Sequence, residues 1–481
     1  MNTVPDNAVS DSTGPDYDVV VAGAGAAGLC AALAAAEAGA SVLVAEAEPG
    51  PGGASRFAAG LIMAAGTRFQ AERGIADDAD ALFHEYMSFN QWNVEPGVAR
   101  ALTANAGPTV DWLADHGLGY SDIFFSGDDR VPRGHVVKGG GQGIVDCVLG
   151  ALRAYPRVDF AYGQRVGRLL TDGGAVTGLA AGDDAVTAAA VVLATGGFGA
   201  NRSLWPRYLP RAVAAEWSFY IGPPSSRGDA FELAAQVGAQ ITGHDRGLIN
   251  ARPHFSQSMD SYYPGWLVFV DDAGHRFVNE QAAYSVVEST FRARGGQAWA
   301  VFDDAAKRAA VPRSTAAAKK YDMPTGSNWE DWVEPVIDEM AAKGIVLVAG
   351  TVRELAESAG LPPRALEGEL DRYNEDVRAG QDTRFGKSPT VMRTVAEPPF
   401  YATQMRLCNV SLTGCGPRVD AAGRVLDEGS QPIRGLYAAG ECTGGVLGDV
   451  YMGSGNALAN AVTFGRIAGA SAATRGRDGE L

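Results

Sequence analysis

The stretch Asp18-Val-Val-Val-Ala-Gly23-Ala-Gly25-Ala-Ala-Gly28, followed by an alanine-rich run ending near Gly39, decides the fold of this chain. Its apolar start predicts a short buried strand, and the glycines that follow predict a tight turn that opens a helix. A second apolar run, Ser41-Val-Leu-Val-Ala45, ends at the acidic Glu46. Strand, glycine-rich turn, helix, strand and acid together predict a βαβ unit that binds a dinucleotide.

Each residue of this unit has a physical role. Gly23 permits the tight turn, Gly25 lets backbone N–H groups reach a pyrophosphate, and Gly28 lets the helix pack on the strand. Ala27 belongs to the same turn, and Glu46 stands where a carboxylate accepts hydrogen bonds from ribose hydroxyls. A turn without a ligand is the alternative for the glycines alone, and the flanking strand and acid favour binding.

Composition excludes several classes of protein. The 481 residues are 46% hydrophobic and 20% charged, which is ordinary globular usage and predicts two or three domains. The formal net charge of −16 disfavours nucleic acid and anionic membranes as partners. Glycine, with 62 residues, has nearly twice its average share, which is typical of backbone that approaches a cofactor closely.

The cysteines and the amino-terminal residues predict the compartment. The five cysteines are scattered and form no CxxC pair, so we expect reduced thiols, no metal centre and a cytoplasmic protein. Residues 1–16 are polar and acidic, which favours a flexible tail over a signal peptide. No apolar run approaches the length of about 18 residues that a membrane helix needs.

Two later segments repeat the pattern of an apolar strand that runs into small residues. Ala190-Val-Val-Leu-Ala194 precedes Thr195-Gly196-Gly197, and Gly435-Leu-Tyr-Ala-Ala439 precedes Gly440-Glu441. We expect both strands to end at the cofactor. Between them, aromatic residues and helical patterns such as Val352–Ala359 and Pro363–Ala379 predict an inserted substrate domain.

The motifs resemble those of FAD enzymes in the fumarate reductase and succinate dehydrogenase flavoprotein superfamily. The resemblance rests on Gly52-Gly53-Ala54-Ser55 with Ala59-Gly60, on Ala194-Thr-Gly-Gly197, on Gly435 to Glu441, and on Gly455-Asn456-Ala457-Leu458 with Phe464-Gly-Arg466. It implies an α/β fold: a Rossmann-like FAD-binding domain of the glutathione reductase type with an inserted α+β capping domain. The expected boundaries are 17–244 and 400–481 for the FAD-binding domain and 245–399 for the cap.

The resemblance also implies how the flavin is held. The residues expected at FAD are Gly23, Gly25, Ala27, Gly28, Glu46, Gly53, Ala54, Ser55, Ala59, Gly60, Ala194, Thr195, Gly196, Gly440, Glu441, Gly455, Asn456, Ala457 and Leu458. Covalent members attach flavin through a histidine in the loop after the glycine pair. That loop here reads Ser55-Arg56-Phe57-Ala58, which predicts noncovalent FAD.

Two tyrosines indicate the chemistry. Gly274-His-Arg-Phe-Val-Asn-Glu280 resembles the segment that leads to the catalytic arginine of fumarate reductases, but the matching position is Tyr284. The 3-ketosteroid dehydrogenases carry a tyrosine there, and it abstracts a proton. Tyr451 and Gly455 resemble the tyrosine hydroxyl and glycine N–H that hold the 3-keto oxygen in those enzymes. A packed tyrosine is the structural alternative at both positions.

The carboxylate-binding residues of the reductases are missing. Tyr451 and Val450 stand where an arginine clamps the substrate, and Asn409 to Gly416 contains no histidine. The resemblance therefore implies an FAD-dependent dehydrogenase that desaturates a cyclic ketone next to its carbonyl, with a 3-ketosteroid favoured. A smaller alicyclic ketone, such as a substituted cyclohexanone, and a fumarate-reductase-like reduction of an unsaturated acid stay open.

Weaker predictions concern the substrate pocket and the partners. Four residues are candidate substrate contacts: Tyr120, Arg252, His254 and Trp266. The resemblance implies an external electron acceptor, a quinone or dye-like molecule. The sequence leaves the oligomeric state open.

Overall fold

A computed structural model describes residues 14–257, 263–310 and 329–478. The predicted tail falls mostly outside the described residues, because they begin at residue 14. The described strands are, in chain order, β1 (Tyr17–Ala22), β2 (Val42–Glu46), β3 (Leu61–Met63), β4 (Tyr120–Phe124), β5 (Gly134–Val137), β6 (Val158–Tyr162), β7 (Arg168–Asp172), β8 (Ala175–Ala181), β9 (Asp184–Leu193), β10 (Phe219–Tyr220), β11 (Ile241–Thr242), β12 (Gly247–Pro253), β13 (Val268–Val270), β14 (Gln297–Asp303), β15 (Val346–Ala349), β16 (Phe400–Thr413), β17 (Gly416–Pro417), β18 (Arg424–Leu426) and β19 (Pro432–Ala438).

The α-helices of the same residues are α1 (Ala26–Glu37), α2 (Arg68–Glu72), α3 (Ala79–Phe89), α4 (Pro96–Asp115), α5 (Gly140–Leu152), α6 (Trp205–Tyr208), α7 (Asp229–Gln236), α8 (Tyr284–Arg292), α9 (Asp304–Arg308), α10 (Glu334–Ala342), α11 (Val352–Ala359), α12 (Pro363–Ala379) and α13 (Asn456–Asp478). In this described part of the chain, none combines the length and the apolar character that crossing a bilayer requires.

The first sheet contains the predicted dinucleotide-binding strands. Its order is β18-β19-β9-β1-β2-β6, and β1 runs parallel to both β2 and β9. Val20, in the middle of β1, lies between Leu43 and Val191 and is fully buried. Parallel strands are covered on both faces, which is why their sequences are continuous apolar runs. The predicted α/β fold is confirmed.

Helices α1 and α13 pack against each other beside this sheet. A Cβ added to Gly465 would lie 2.3 Å from the Ala27 oxygen, and one added to Gly469 would lie 2.1 Å from the Ala31 oxygen. The two helices therefore touch backbone to backbone, and only glycine fits at both places. This contact places the middle of α13 beside the first turns of α1.

The second sheet is built around one long strand. β16 pairs with β10, β12, β14 and β15, and β13 extends the sheet beyond β14. An aromatic core that includes Trp266, Phe269 and Phe302 covers one part of this sheet, and α11 and α12 contribute to a second core. Both helices have the bounds that the sequence predicts.

The second sheet extends beyond the residues that the sequence assigns to the capping domain. The sequence assigns residues 400–413 and 219–220 to the FAD-binding domain, whereas β16 and β10 belong to the second sheet. The reason is that nearly all residues of β16 are buried, so its sequence reads as a core strand of either sheet. We therefore propose that the cap includes these two strands.

Candidate active site

A cavity of about 390 Å³ opens where β1, β2, β9 and β19 end. Ligands of parallel α/β sheets bind at this carboxyl edge. Most of the predicted cofactor residues line it: Gly23, Gly25, Ala27, Glu46, Gly53, Ala54, Ser55, Ala59, Gly60, Ala194, Thr195, Gly196, Glu441, Gly455, Ala457 and Leu458. Segments far apart in sequence thus meet in one groove.

Three predicted cofactor residues lie behind this wall. A Cβ on Gly28 would lie 1.8 Å from the Gly23 oxygen, so Gly28 allows the close packing of helix and strand that its spacing predicts. A Cβ on Gly440 would lie 2.7 Å from the Cβ of Ala27. Asn456 is fully buried, and neither polar atom of its side chain has a hydrogen-bond partner among the described residues.

The donors and acceptors of the groove fit FAD. Helix α1 begins at the cavity, where its N-cap residue Gly25 has no side chain and the N–H of Ala26 donates to Ser55 Oγ at 3.1 Å, so the N–H groups that follow suit a pyrophosphate. The Glu46 carboxylate accepts N–H groups from Ala24 at 2.6 Å and Glu48 at 2.8 Å, and keeps lone pairs for ribose hydroxyls. Thr195 Oγ1, at the cavity wall, is buried without a partner among the described residues.

The same cavity brings the two predicted tyrosines together. Tyr284 and Tyr451 both line it, with 4% and 7% of their surfaces exposed. Their ring centroids are 6.3 Å apart and the ring planes differ by 30°. Tyr284 is the first residue of α8 in the second sheet's domain, whereas Tyr451 lies in the loop before α13. The two phenols therefore approach a ligand from different parts of the chain.

Tyr451 is set up to donate a hydrogen bond. Its oxygen accepts the backbone N–H of Ala457 at 3.1 Å, which leaves the phenolic proton free for another acceptor. Burial raises the pKa of Tyr451 above its usual range, so the phenol stays protonated. Gly455 lines the cavity beside it with a φ of 100°, and an added Cβ would lie 2.8 Å from the Met63 nitrogen. Only glycine fits there.

Sequence reasoning missed Ser454. Its Oγ lies 3.1 Å from the Tyr284 hydroxyl, and it lines the cavity. Its backbone N–H donates to the Ser126 oxygen at 2.6 Å, which fixes the serine below the phenol. The available signal was its place between Tyr451 and Gly455, where a small hydroxyl residue falls beside the predicted substrate contacts.

The substrate end of the cavity is apolar and lacks cations. Leu248 and Leu412 pack with the two tyrosines and line the cavity, and Ser411 is polar but neutral. Among the described residues, no arginine, lysine or histidine lines this cavity. A carboxylate would lose its hydration here without gaining a cationic partner, which is costly. The described wall therefore suits a neutral ligand.

The four candidate substrate contacts do not line this cavity. Tyr120 is buried, and its hydroxyl donates to the Val110 oxygen at 3.1 Å. Trp266 packs in the aromatic core against Phe302. The structure thus gives both side chains packing roles instead of a place at the cavity.

The other two candidate contacts lie at and beyond the end of β12. Arg252 is 3% exposed, donates to the Ala251 oxygen at 2.7 Å and lies over the Tyr263 ring. His254 is exposed and packs edge-on against Trp217. Neither gives the cavity a positive charge.

A buried network of charges braces the segment before Tyr284. Arg276 binds both oxygens of Glu280 at 2.8 Å and also Asp382 at 2.8 Å. Lys387 lies 3.1 Å from Glu280 and donates to the Leu267 oxygen at 2.7 Å. Paired charges of both signs offset the cost of burial. The network fixes the chain four residues before Tyr284.

The family follows from a comparison with known proteins. A model of the FAD binding domain matches residues 18–458 of this chain. This chain belongs to the FAD binding domain family. FAD is its cofactor, and the predicted resemblance to the flavoprotein superfamily is confirmed.

Relatives of two kinds are similar to this family member. An NADH:fumarate oxidoreductase of Klebsiella pneumoniae is 32% identical over 97% of this chain and 49% of its own length. A 3-oxosteroid 1-dehydrogenase of Mycobacterium tuberculosis is 28% identical over 58% of this chain and 51% of its own length. This family member therefore matches only about half the length of each of these two curated relatives.

A solved structure matches this family member over nearly its whole length. It is a 3-ketosteroid-Δ4-(5α)-dehydrogenase from Rhodococcus jostii RHA1, in complex with 4-androstene-3,17-dione. The identity is 26% and the TM-score 0.75, over 97% of this chain and 99% of that chain.

Proposed function

We propose that this protein is an FAD-dependent oxidoreductase that desaturates a cyclic ketone next to its carbonyl group. The observation that carries the proposal is the facing pair Tyr284 and Tyr451 in the FAD cavity, whose described wall has no cationic side chain. A 3-ketosteroid is the favoured substrate. A substituted cyclohexanone would use the same two tyrosines.

Tyr451 and Gly455 have the properties that a carbonyl-binding pair needs. The buried, protonated phenol of Tyr451 and the N–H of Gly455 donate to the keto oxygen, where negative charge develops as the neighbouring C–H bond breaks. Fixed donors aimed at such a charge stabilise the enolate and acidify that C–H.

Tyr284 accepts the proton. The Ser454 hydroxyl lies 3.1 Å from the Tyr284 oxygen and is able to donate to its phenolate form. This contact favours a negative oxygen over a neutral one. FAD, when bound, supplies the acceptor for the hydride that leaves the adjacent carbon. The product is an α,β-unsaturated ketone.

Reduction of an unsaturated acid is the second candidate. The observation that favours it is the 32% identity to the fumarate oxidoreductase over nearly the whole chain. Against it, the described cavity wall offers no cation to a carboxylate. The two candidates therefore differ in the charge of their substrates.

The electron acceptor and compartment complete the proposal. We propose a quinone or dye-like acceptor and a cytoplasmic location. All five cysteines are unpaired in the structure, which supports a reducing compartment. We also propose that FAD is held without a covalent bond.

Anaerobic mixing of the purified holoprotein with a 3-ketosteroid, and separately with a substituted cyclohexanone, tests the function. We expect the oxidised flavin band to bleach with one of them. Tyr284→Phe should slow that bleaching at least about 100-fold, because the variant lacks a proton acceptor. Tyr263→Phe is the matched control, since Tyr263 is 3% exposed, donates to the Ala251 oxygen and does not line the cavity.

Two outcomes would contradict the proposal. If neither ketone bleached the flavin, and chemically reduced protein were rapidly reoxidised by an unsaturated acid, the reductase would replace the dehydrogenase. If Tyr284→Phe and Tyr263→Phe bleached equally fast, Tyr284 would not be the base.

A further inference from the structure

Several side chains from other parts of the chain hold the loop that carries Tyr451. Asp449 lies two residues before the tyrosine, and its carboxylate accepts Arg246 Nε at 2.7 Å and also Nδ2 of Asn93. Arg246 also donates to the Asn93 oxygen at 2.7 Å. These three residues form a closed set of hydrogen bonds on the side of the loop that faces α3 and α4.

A second set of contacts fixes the backbone of the same loop. Asn90 is 1% exposed, and its Oδ1 accepts the N–H of Val450 at 3.1 Å. A Cβ added to Gly448 would lie 1.9 Å from that same oxygen, so the loop rests directly on the amide. The residues on both sides of Asp449 are thus held against the end of α3.

Helix α8 is fastened to this loop at both of its ends. At its first turn, the Tyr284 hydroxyl meets Ser454 Oγ at 3.1 Å. In its last turn, Arg292 Nη1 donates to the backbone carbonyl oxygen of Asp449 at 2.8 Å. The two attachment points are about 12 Å apart along the helix, and on the loop they flank Tyr451 on either side.

From this geometry we propose that Asp449 is a positioning residue for the reaction, which sets the placement of Tyr451 relative to Tyr284. Asp449 joins three parts of the chain. Its carboxylate binds Asn93 in the turn after α3 and Arg246 in the segment before β12, and its backbone oxygen accepts Arg292 of α8. The two phenols come from different parts of the chain, so their separation depends on such a junction. The inference rests on the proposed function, in which the two tyrosines act on one ketone.

The test compares Asp449→Asn with Asp111→Asn in the FAD-loaded protein. The two aspartates are matched, because each pairs with an arginine and their side chains are 36% and 30% exposed. Asp111 lies on α4 and does not line the cavity. Asp449→Asn should lower kcat/KM for the ketone about tenfold or more, while FAD affinity changes less than about twofold, since charge-assisted bonds are lost only in the loop.

A second pair of variants separates positioning from a merely structural role. Arg292→Gln should lower kcat/KM in the same way, and Arg292→Lys should recover part of it by restoring a cationic donor to the backbone carbonyl oxygen of Asp449. Asp111→Asn should leave both quantities unchanged. If Asp449→Asn lost FAD affinity as much as activity, or if Arg292→Lys were no better than Arg292→Gln, the positioning role would be refuted.

Hydrogen exchange followed by mass spectrometry keeps this inference distinct from the proposed function. Amides of residues 446–456 should exchange about tenfold or more faster in Asp449→Asn than in the unsubstituted protein, with no change in Asp111→Asn. This readout needs no substrate. If the unsubstituted protein did not turn over a ketone, the proposed function would be wrong. The exchange rates would still show whether Asp449 fixes the loop. Unchanged exchange in Asp449→Asn would overturn the inference even in an active enzyme.

Discussion

The phenol oxygens of Tyr284 and Tyr451 differ in the partners that they have. Tyr451 accepts an N–H from Ala457 and stays protonated, whereas Tyr284 shares a hydrogen bond with the hydroxyl of Ser454. A hydroxyl is able to donate to a phenolate, and a protonated phenol is able to donate to a carbonyl. Two residues of the same type therefore suit different roles: Tyr451 as a hydrogen-bond donor to a carbonyl oxygen and Tyr284 as a proton acceptor.

Ser454 provides a prediction at this scale. Ser454→Ala removes a donor to the deprotonated form of Tyr284, so the rising limb of the pH–rate profile should move to higher pH. At neutral pH, turnover should fall about tenfold. Steady-state rates measured across a range of pH values test both effects. Ser218→Ala is the control, because Ser218 is also buried, with 4% of its surface exposed, and its hydroxyl donates to the Ala215 backbone oxygen. A shift of equal size in both variants would contradict the role of Ser454.

Single residues were predictable where their function depends on nearby sequence. Gly23 and Gly25 of the first turn, and Tyr284 and Tyr451, stand in short motifs of neighbouring residues, and all four line one cavity. The sequence predicts Tyr120 and Arg252 as substrate contacts, but their side chains contact the Val110 oxygen and the Tyr263 ring, which belong to other segments of the chain. The sequence alone does not reveal such partners.

At the scale of secondary structure, His135 joins strand β5 to helix α2. It is fully buried, and its Nε2 lies 2.8 Å from Thr67 Oγ1, the cap of α2. Its Nδ1 lies 2.9 Å from the Arg133 oxygen. Burial lowers the pKa of His135 to about 4, because the charged imidazole would lose its hydration. The contact between β5 and α2 therefore contains a neutral histidine.

This neutral histidine predicts how stability changes with pH. Between pH of about 6.5 and 4, the unfolded chain binds a proton at this position that the folded chain does not. The free energy of unfolding should therefore fall by about 3 kcal/mol as pH falls through that interval. Urea unfolding at several pH values measures it. In the His135→Gln variant the free energy of unfolding should not show this fall with pH. In the His84→Gln variant, a control at an exposed position on α3, the fall should remain.

The sequence predicts the positions of helices and strands more closely than it predicts the sheet to which a strand belongs. The strands at Val19, Val42 and Val191 and the helices α11 and α12 follow from apolar periodicity. β16 lies in the second sheet although the sequence assigns residues 400–413 to the FAD-binding domain, because a strand with nearly all residues buried has no alternation that identifies its neighbours. Hydrogen bonds to β12 and β14, which are far away in sequence, decide its place.

Across the whole molecule, the FAD cavity is assembled from segments that are separated by up to several hundred residues. The turn at Gly25, the strand end at Ala194, the cap helix α8 and the start of α13 all contribute to its wall. Ser411 and Leu412 add the end of β16. A ligand that fills this space contacts both sheets' domains, so its binding free energy adds to the stability of the entire fold.

This architecture predicts a reversible dependence of stability on FAD. If the flavin is noncovalent, acid precipitation should leave it in the supernatant, and apoprotein should regain stability as FAD is added. At free FAD a hundredfold above Kd, the free energy of unfolding should rise by about 2.7 kcal/mol. FMN is the control, because it lacks the adenosine whose ribose Glu46 is predicted to bind, and it should stabilise less at the same concentration. Flavin that stayed in the pellet, or equal stabilisation by FMN, would contradict the predicted mode of binding.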